Sequence, residues 1–367
     1  MEPLETKNKA EQLLCARAEA LKIPINGILE LTPLCNMNCD MCYVRLSREE
    51  MDRKGKLLSG VQWLGIGQKM AQAGTLFVLL TGGEPLLHPD FKEIYLGLRK
   101  LGMIITINTN GTLINEEWAS FFAQYKPRRI NITLYGPDEH AYDTLCHHRA
   151  GFRQVIKAIE LLKSNGIDIK LNGSITPANA HGVDQMLHIA ESMDLYCKFD
   201  TYMYPATRER DGCYNAQARL SPEAAAAVKY KIMCHNLQPE EIRITAGELR
   251  NKLNSSKPGD CRLGCRAGTS SFMINWQGNM RPCIMVDHPS VSVYEAGFQD
   301  AWKAIVEETS LIRTSKVCAC CEYRNVCQVC GACALLETGS YDGVPEYMCR
   351  YTKETVRLLS ESLEENP

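Results

Sequence analysis

Between Gly27 and Met203 the chain repeats one pattern six times: a short apolar run, a turn, then a segment of helical length and period. The repeats predict strands at Gly27–Leu31, Leu76–Leu80, Ile104–Asn108, Arg129–Leu134, Asp168–Ser174 and Phe199–Met203. Helices are predicted between them at Ser59–Ala73, Phe91–Leu101, Glu116–Gln124, Phe152–Asn165 and Ala180–Met193. Strands joined through helices return parallel to one another, so the pattern predicts an α/β fold: a parallel, partly closed (β/α)6 barrel. After Pro205 the pattern breaks into a polar, arginine-containing linker. An alanine-rich helix with Ser221 as its cap and Pro222 in its first turn follows, and then a region dense in cysteine. The expected organisation is an N-terminal helical segment (1–24), a barrel core (25–220) and a smaller cysteine-rich domain (221–367) closed by a helix at Arg350–Leu363.

The cysteines restrict the chemistry. There are 18 in 367 residues, and ten fall between Cys261 and Cys349 at short C-x-x-C and C-x-x-x-C spacings. Such spacings gather thiolates around a metal, whereas a disulfide framework belongs to small exported domains. The chain begins with no export signal and contains no apolar run of roughly 18 residues, so a cytoplasmic protein without a membrane partner is expected. Lys and Arg number 41 against 43 for Asp and Glu, which leaves no field to draw nucleic acid.

Just after the first strand stands Cys35-Asn-Met-Asn-Cys39-Asp-Met-Cys42, a C-x3-C-x2-C triplet in a loop at a strand end. Three thiolates hold three irons of a cubane and leave the fourth iron open to an amine and a carboxylate of a small molecule. A zinc knuckle with a fourth ligand elsewhere is the structural alternative. The second strand ends in Thr81-Gly82-Gly83-Glu84-Pro85, where glycines let backbone approach a ligand and a carboxylate can receive an ammonium group.

On these two motifs the sequence resembles the radical S-adenosylmethionine (SAM) superfamily, across about residues 25–350. The resemblance implies a partial (β/α)6 TIM-like barrel with a small cysteine-rich C-terminal iron–sulfur domain. It implies a SAM-binding [4Fe–4S] cluster on Cys35, Cys39 and Cys42, and SAM contacts from Gly82, Gly83, Glu84 and Pro85. By the same resemblance, one electron from the reduced cluster cleaves SAM to methionine and a 5′-deoxyadenosyl radical, which takes hydrogen from an unactivated carbon. Met41 stands where the family often has an aromatic residue, with Tyr43 following the triplet. Amides of Asn108 and Asn110 suit ribose hydroxyls, and the Thr133–Gly136 turn with Arg149 suits the methionine carboxylate. Each has an ordinary alternative, a turn or a solvated charge. Asn172, Ser174, Tyr202 and Arg208 sit at or after later strand ends, where they face substrate or make structural hydrogen bonds.

The C-terminal cysteines resemble the SPASM domain of radical SAM peptide-modifying enzymes. Cys265, Gly278 and Cys283 are followed by Cys318-x2-Cys321-x5-Cys327-x2-Cys330 and a distant Cys349. The resemblance implies two auxiliary [4Fe–4S] clusters, one on Cys261, Cys265, Cys283 and Cys330, the other on Cys318, Cys321, Cys327 and Cys349. The last interval of the run is two residues where the family has three, and Cys320 and Cys333 are left over. Cys333 in place of Cys330, Cys320 in place of Cys318, and a structural zinc therefore stay open at this point. Cys15, Cys146, Cys197, Cys213 and Cys234 lack ligand spacing and read as small buried apolar residues or, near the active site, as a hydrogen-atom donor.

Enzymes of this kind mostly modify ribosomal peptides or proteins through thioether or carbon–carbon crosslinks, epimerisation or oxidation, with electrons from a flavodoxin or ferredoxin. Such a peptide or protein substrate is the expectation here, with no catalytic acid, base or hydrogen donor identified. Haem- or quinone-type cofactor maturation is the enzyme alternative, and a non-catalytic iron–sulfur electron carrier the alternative of another class. Sulfatase maturation is disfavoured, because Ile284 stands where those enzymes carry Asp after the cysteine, and the nearby acid is Asp287. A peptide-recognition domain does not fit into the 24 residues ahead of the barrel, so leader binding would use another surface or chain.

Overall fold

The structure, a computed structural model, describes residues 9–205 and 218–364. Six strands, β1 (Asn26–Glu30), β2 (Phe77–Thr81), β3 (Ile104–Thr109), β4 (Arg129–Thr133), β5 (Ile169–Ser174) and β6 (Cys197–Asp200), pair in sequence order, each parallel to the next. The intervening helices Gly60–Gln72, Phe91–Lys100, Glu116–Gln124, Gly151–Ser164 and Val183–Ser192 cover the sheet. The partial barrel is thus as expected. Local chemistry sets its boundaries: Ser59 accepts from Gln62 N while Gln62 returns to the Ser59 amide, a capping box that starts one covering helix. Beneath the helices lies a continuous core, with Trp63, Phe91, Tyr95 and Phe122 fully enclosed.

Two departures matter for the site. The sixth strand runs over Cys197–Asp200 and not to Met203, because the ladder ends at the bond from Ile175 N to Asp200 O. The next residue, Thr201, turns its hydroxyl to Tyr351 of the C-terminal helix, 2.9 Å away. Apolar alternation through Met203 therefore reports packing against that helix, not continued pairing. The second departure is that the sheet runs past the boundary expected near residue 220. Strands β7 (Ser271–Ile274), β8 (Asn279–Arg281) and β9 (Val291–Ser292) extend it, with β7 parallel to β1 and the others antiparallel.

The N-terminal helix spans Lys9–Leu21; the part of that expectation over residues 1–8 lies outside the described residues, as do Arg208 and Cys213. The closing helix, Glu346–Glu364, begins four residues before the expected Arg350 and packs on helices Pro222–Asn236 and Pro239–Asn254. Helices Arg48–Lys54, Glu139–Cys146 and Pro239–Asn254 were not expected from the sequence. Among the described residues no helix is long and apolar enough to cross a membrane.

Candidate functional site

The C-terminal ends of β2, β3, β4 and β5, with the loop after β1, meet around a cavity of about 210 Å³. It is lined by Cys35, Cys39 and Cys42 from the loop, Gly82 and Gly83 after β2, Asn108 to Asn110 at β3, Thr133 and Tyr135 at β4, and Ser174 at β5. Every strand delivers its residue at the same edge because all run parallel in register.

The glycines have a different immediate reason from the one expected. A Cβ on Gly82 would stand 2.4 Å from the Thr32 carbonyl oxygen, and one on Gly83 would stand 2.4 Å from that of Leu34. The turn lies against the chain entering the cysteine loop, and Gly83 N and Glu84 N donate to the Thr32 and Leu34 carbonyls at 2.7 and 2.8 Å. Close approach here is backbone to backbone, while the other side of both glycines faces the cavity.

Glu84 is fully buried and lies outside the cavity lining. Its carboxylate accepts from Asn110 N at 2.8 Å, Leu86 N at 3.1 Å and the Thr109 hydroxyl at 2.9 Å, so it ties the turn after β2 to the turn after β3. Burial pushes its pKa up to about 7, against the lowering by those hydrogen bonds. Asn110 carries the linkage onward: its side-chain amide donates to Asn36 Oδ1 at 2.9 Å and lies 3.6 Å from Cys35 Sγ. Asn36 in turn donates to Thr112 at 2.8 Å. Thr109, Asn36 and Thr112 were not singled out in the sequence, although a polar Thr-Asn-Gly-Thr run at a strand end is a visible signal for such a hub.

The cysteine loop is pinned from a second side by the Glu139–Cys146 helix. Asn38 N donates to the Cys146 carbonyl and Asp40 N to that of Leu145, both at 3.0 Å. His147 Nε2 lies 2.8 Å from Asp40 Oδ1. Cys146, fully buried, hydrogen-bonds through its side chain to Cys39. Nothing in its spacing announces this. Burial and then the Glu84 charge push the Cys35 thiol up, and the Cys146 bond followed by burial does the same for Cys39. Such thiols lose their protons to a cation that coordinates them, as a cluster iron does, so the donor set fits a metal-bound group.

Not every expected residue reaches the cavity. Arg149 is 64% exposed, lies outside the cavity lining and pairs with Glu139 and Asp143 at 3.4 and 3.7 Å. Pro85, itself buried, starts a short turn, Pro85–Leu87, behind Glu84, in which Leu86 is buried and Leu87 exposed. Asn172 pairs in register with Thr133 and Lys198, and its carbonyl accepts from Leu134 N. Tyr202 donates to Glu337 at 2.8 Å.

In the C-terminal region Cys318, Cys321, Cys327, Cys330 and Cys349 line a cavity of about 520 Å³. Cys320 is exposed and outside this lining. Cys333 is 1% exposed and lies 3.1 Å from the Tyr202 hydroxyl, outside the lining as well. Cys330 caps the Gly331–Thr338 helix, with Tyr204 OH 3.7 Å from its sulfur. Cys283 and Cys330 share a small apolar cluster with Tyr204 and Tyr43, the residue following the first triplet. Asp287, the acid near Ile284, is held by Arg281 at 3.1 Å. Among the described residues no three His, Cys, Asp or Glu side chains converge as a single metal ion requires; the thiols stand around cavities instead.

Residues 29–188 match the radical SAM superfamily. An AdoMet-dependent heme synthase of Nitratidesulfovibrio vulgaris is 23% identical over 346 residues, covering 88% of this chain and 91% of that protein. The antilisterial bacteriocin subtilosin biosynthesis protein AlbA of Bacillus subtilis is 25% identical over 264 residues, covering 72% of this chain and 55% of its own length. In fold, the chain is similar to Streptococcus suis SuiB bound to its precursor peptide SuiA, with TM-score 0.67 and 17% identity over 94% of this chain and 82% of that one.

Proposed function

We propose that this chain, a radical SAM enzyme whose radical SAM domain spans residues 29–188, modifies a ribosomal peptide or protein by thioether or carbon–carbon crosslinking, epimerisation or oxidation. The observation that carries the reading is the meeting of the three-cysteine loop with four further strand ends at one cavity, together with a second cysteine-lined cavity in the C-terminal region. Similarity to AlbA, a bacteriocin biosynthesis protein, supports a peptide substrate.

Cys35, Cys39 and Cys42 would hold the SAM-binding [4Fe–4S] cluster, and the backbone of Gly82 and Gly83 with Asn108, Asn110 and Thr133 would border SAM. When bound, SAM and this cluster supply a carbon radical that removes hydrogen from an unactivated position. Glu84 locks the turns after β2 and β3 so that the residues bordering the cavity keep their spacing. Pro85 starts the turn that follows Glu84. Arg149 would have to leave Glu139 and Asp143 to join the site. The apolar cluster that Tyr43 packs against would keep water from the cavity that Tyr43 lines.

The C-terminal residues 221–367 would carry two auxiliary clusters. Cys318, Cys321, Cys327 and Cys349 share a lining and form one set. Cys330, beside Cys283 and Tyr204, joins Cys261, Cys265 and Cys283 in the other. Cys320, exposed as Cys265 is, and Cys333, in contact with Tyr202, are the alternatives to Cys318 and Cys330 in these sets. A flavodoxin or ferredoxin would supply electrons.

Haem formation is the second reading, favoured by heme synthase relatives that span 88% of this chain. One experiment orders the possibilities. Reduced, reconstituted protein given SAM should release 5′-deoxyadenosine, and a short peptide encoded beside it should change mass. Absence of 5′-deoxyadenosine with the cluster reduced would sink the enzyme reading, and turnover of a porphyrin with an inert peptide would sink the peptide reading.

A further inference from the structure

A threonine inside a helix can give its hydroxyl hydrogen to the carbonyl four residues back. Thr245, Thr338 and Thr355 do so, each at 2.8 Å. Thr352 does not, although it shares the Glu346–Glu364 helix with Thr355 and is only 5% exposed. Its hydroxyl donates to Cys327 Sγ at 3.4 Å. The side chain has turned from its own backbone to a sulfur on another segment.

Three contacts fix the rotation of that helix. Tyr347 OH donates to the Leu220 carbonyl at 2.8 Å, Arg350 holds Glu223 through bonds of 2.8 and 3.0 Å, and Tyr351 OH lies 2.9 Å from Thr201 Oγ1. Cys349 and Thr352, three residues apart and so on one face, both line the cavity of about 520 Å³ that Cys318, Cys321 and Cys327 also line. One helix face thus brings a thiol and a hydroxyl donor to the same four cysteines. Four thiolates suit iron, and their sulfurs still accept hydrogen bonds when iron is bound. A thiolate carries no proton, so the bond continues to run from Thr352 to Cys327 in the metal-bound set.

We infer that Thr352, by donating to the Cys327 sulfur, raises the reduction potential of the cluster on Cys318, Cys321, Cys327 and Cys349 and so makes it a readier electron acceptor. The inference rests on the reading that these four cysteines hold a [4Fe–4S] cluster. Taking up one electron makes such a cluster more negative, and a donor to one of its sulfurs favours the more negative state. No bond to the protein forms or breaks in this step. Thr352 acts through Cys327, as a positioning residue for electron transfer and not as a ligand.

The test is a dithionite titration of the reconstituted full chain followed by electron paramagnetic resonance, with dithionite as the source of the electron. The signal of this cluster is the one that Cys349→Ala removes. Thr352→Val keeps the buried shape without the donor, and should lower the midpoint of that signal at unchanged iron content. The expected scale is up to about tenfold in the one-electron equilibrium, or about 59 mV. Thr352→Ser retains a hydroxyl and should restore the wild-type midpoint. An unchanged midpoint in Thr352→Val with the signal present overturns the inference, and so does an equal shift in Thr352→Ser, which would trace the change to packing. Electron–nuclear double resonance on the wild-type chain needs no variant: absence of any coupling to a proton that exchanges in deuterium oxide overturns the inference as well. Equal iron content and identical signals in wild type and Cys349→Ala would overturn the four-cysteine reading itself, an outcome distinct from these.

Discussion

The two cysteine regions are built on opposite plans. The first triplet sits on a loop whose neighbours are fixed before any metal arrives: Gly83 and Glu84 bind its entry, the Glu139–Cys146 helix binds its middle, and Asn110 reaches Asn36 within it. Beneath it lies the large continuous core. The second region meets that core through Cys333, with Cys327 and Cys330 packed against it, and adds short helices, Lys316–Ala319 and Gly331–Thr338, and a small apolar cluster of Met285, Val286 and Ala332. There the thiols themselves line the cavity that the surrounding chain encloses. A preorganised site uses the fold to place its ligands, whereas a sparsely packed one depends on the bound group for part of its stability.

The strongest way to break this contrast is to remove ligands from each side. Replacing Cys35, Cys39 and Cys42 together with Ala should remove about four of about 12 irons and abolish 5′-deoxyadenosine release, with the barrel's melting temperature nearly unchanged. Cys327→Ala should leave some 5′-deoxyadenosine release, stop product formation, and lower the melting temperature of the C-terminal region. Iron counts, chromatography and calorimetry read the three effects, and equal destabilisation by both changes would remove the distinction.

A smaller effect sharpens the claim that the first site is held by its own hydrogen bonds. Glu84 titrates near 7 in the folded chain against 4.5 as the reference value, because burial disfavours its charge. Between those values the folded protein keeps a proton that the unfolded chain has released. Its contribution is therefore fully present below pH 4.5 and is lost as the pH rises through about 7, an effect of about 3 kcal/mol for a fully buried group. Glu84→Gln should abolish that dependence and cost about 1–3 kcal/mol at low pH, since one acceptor for Asn110 N or Leu86 N is replaced by a donor. Denaturant unfolding of cluster-free protein at pH 5 and pH 8 checks both; a pH-independent wild type would contradict the assignment.

The smallest effect is expected at Arg149. Its surface pairs are worth at most about 0.5 kcal/mol, so Arg149→Ala should change SAM affinity by no more than about twofold. A tenfold weakening in a binding titration would show that the guanidinium leaves Glu139 and Asp143 for the ligand.

What could be read in advance followed the same division. The six barrel strands were legible because each is a compact apolar run bounded by turns, and the cavity residues after β1 and β2 because glycine and cysteine are conspicuous in such turns. Strands β7 to β9 were not, since two to four residues carry too little periodicity to stand out among cysteines and loops. The Glu139–Cys146 helix was hidden for a similar reason, although Asp138 caps it by accepting from Ala141 N. Cys146 meets Cys39 only through a helix end that sequence spacing does not reveal. Glu84 was noticed for its charge, yet its partners Thr109 and Leu86 turn that charge inward.

The pairing of β7 with β1 also bears on how the protein is made. Strand β1 leads directly into the first cysteine loop, and its second neighbour in the sheet is contributed by Ser271–Ile274, far later in the chain. At ribosomal rates of about 5–20 residues per second, β1 waits roughly tens of seconds with one edge open after β2 has become available. An unpaired edge of this kind invites association with other nascent chains, and closing it late requires a contact of long sequence separation. A chain halted before residue 271 would carry all three cysteines of that loop on a strand that still lacks one of its two neighbours.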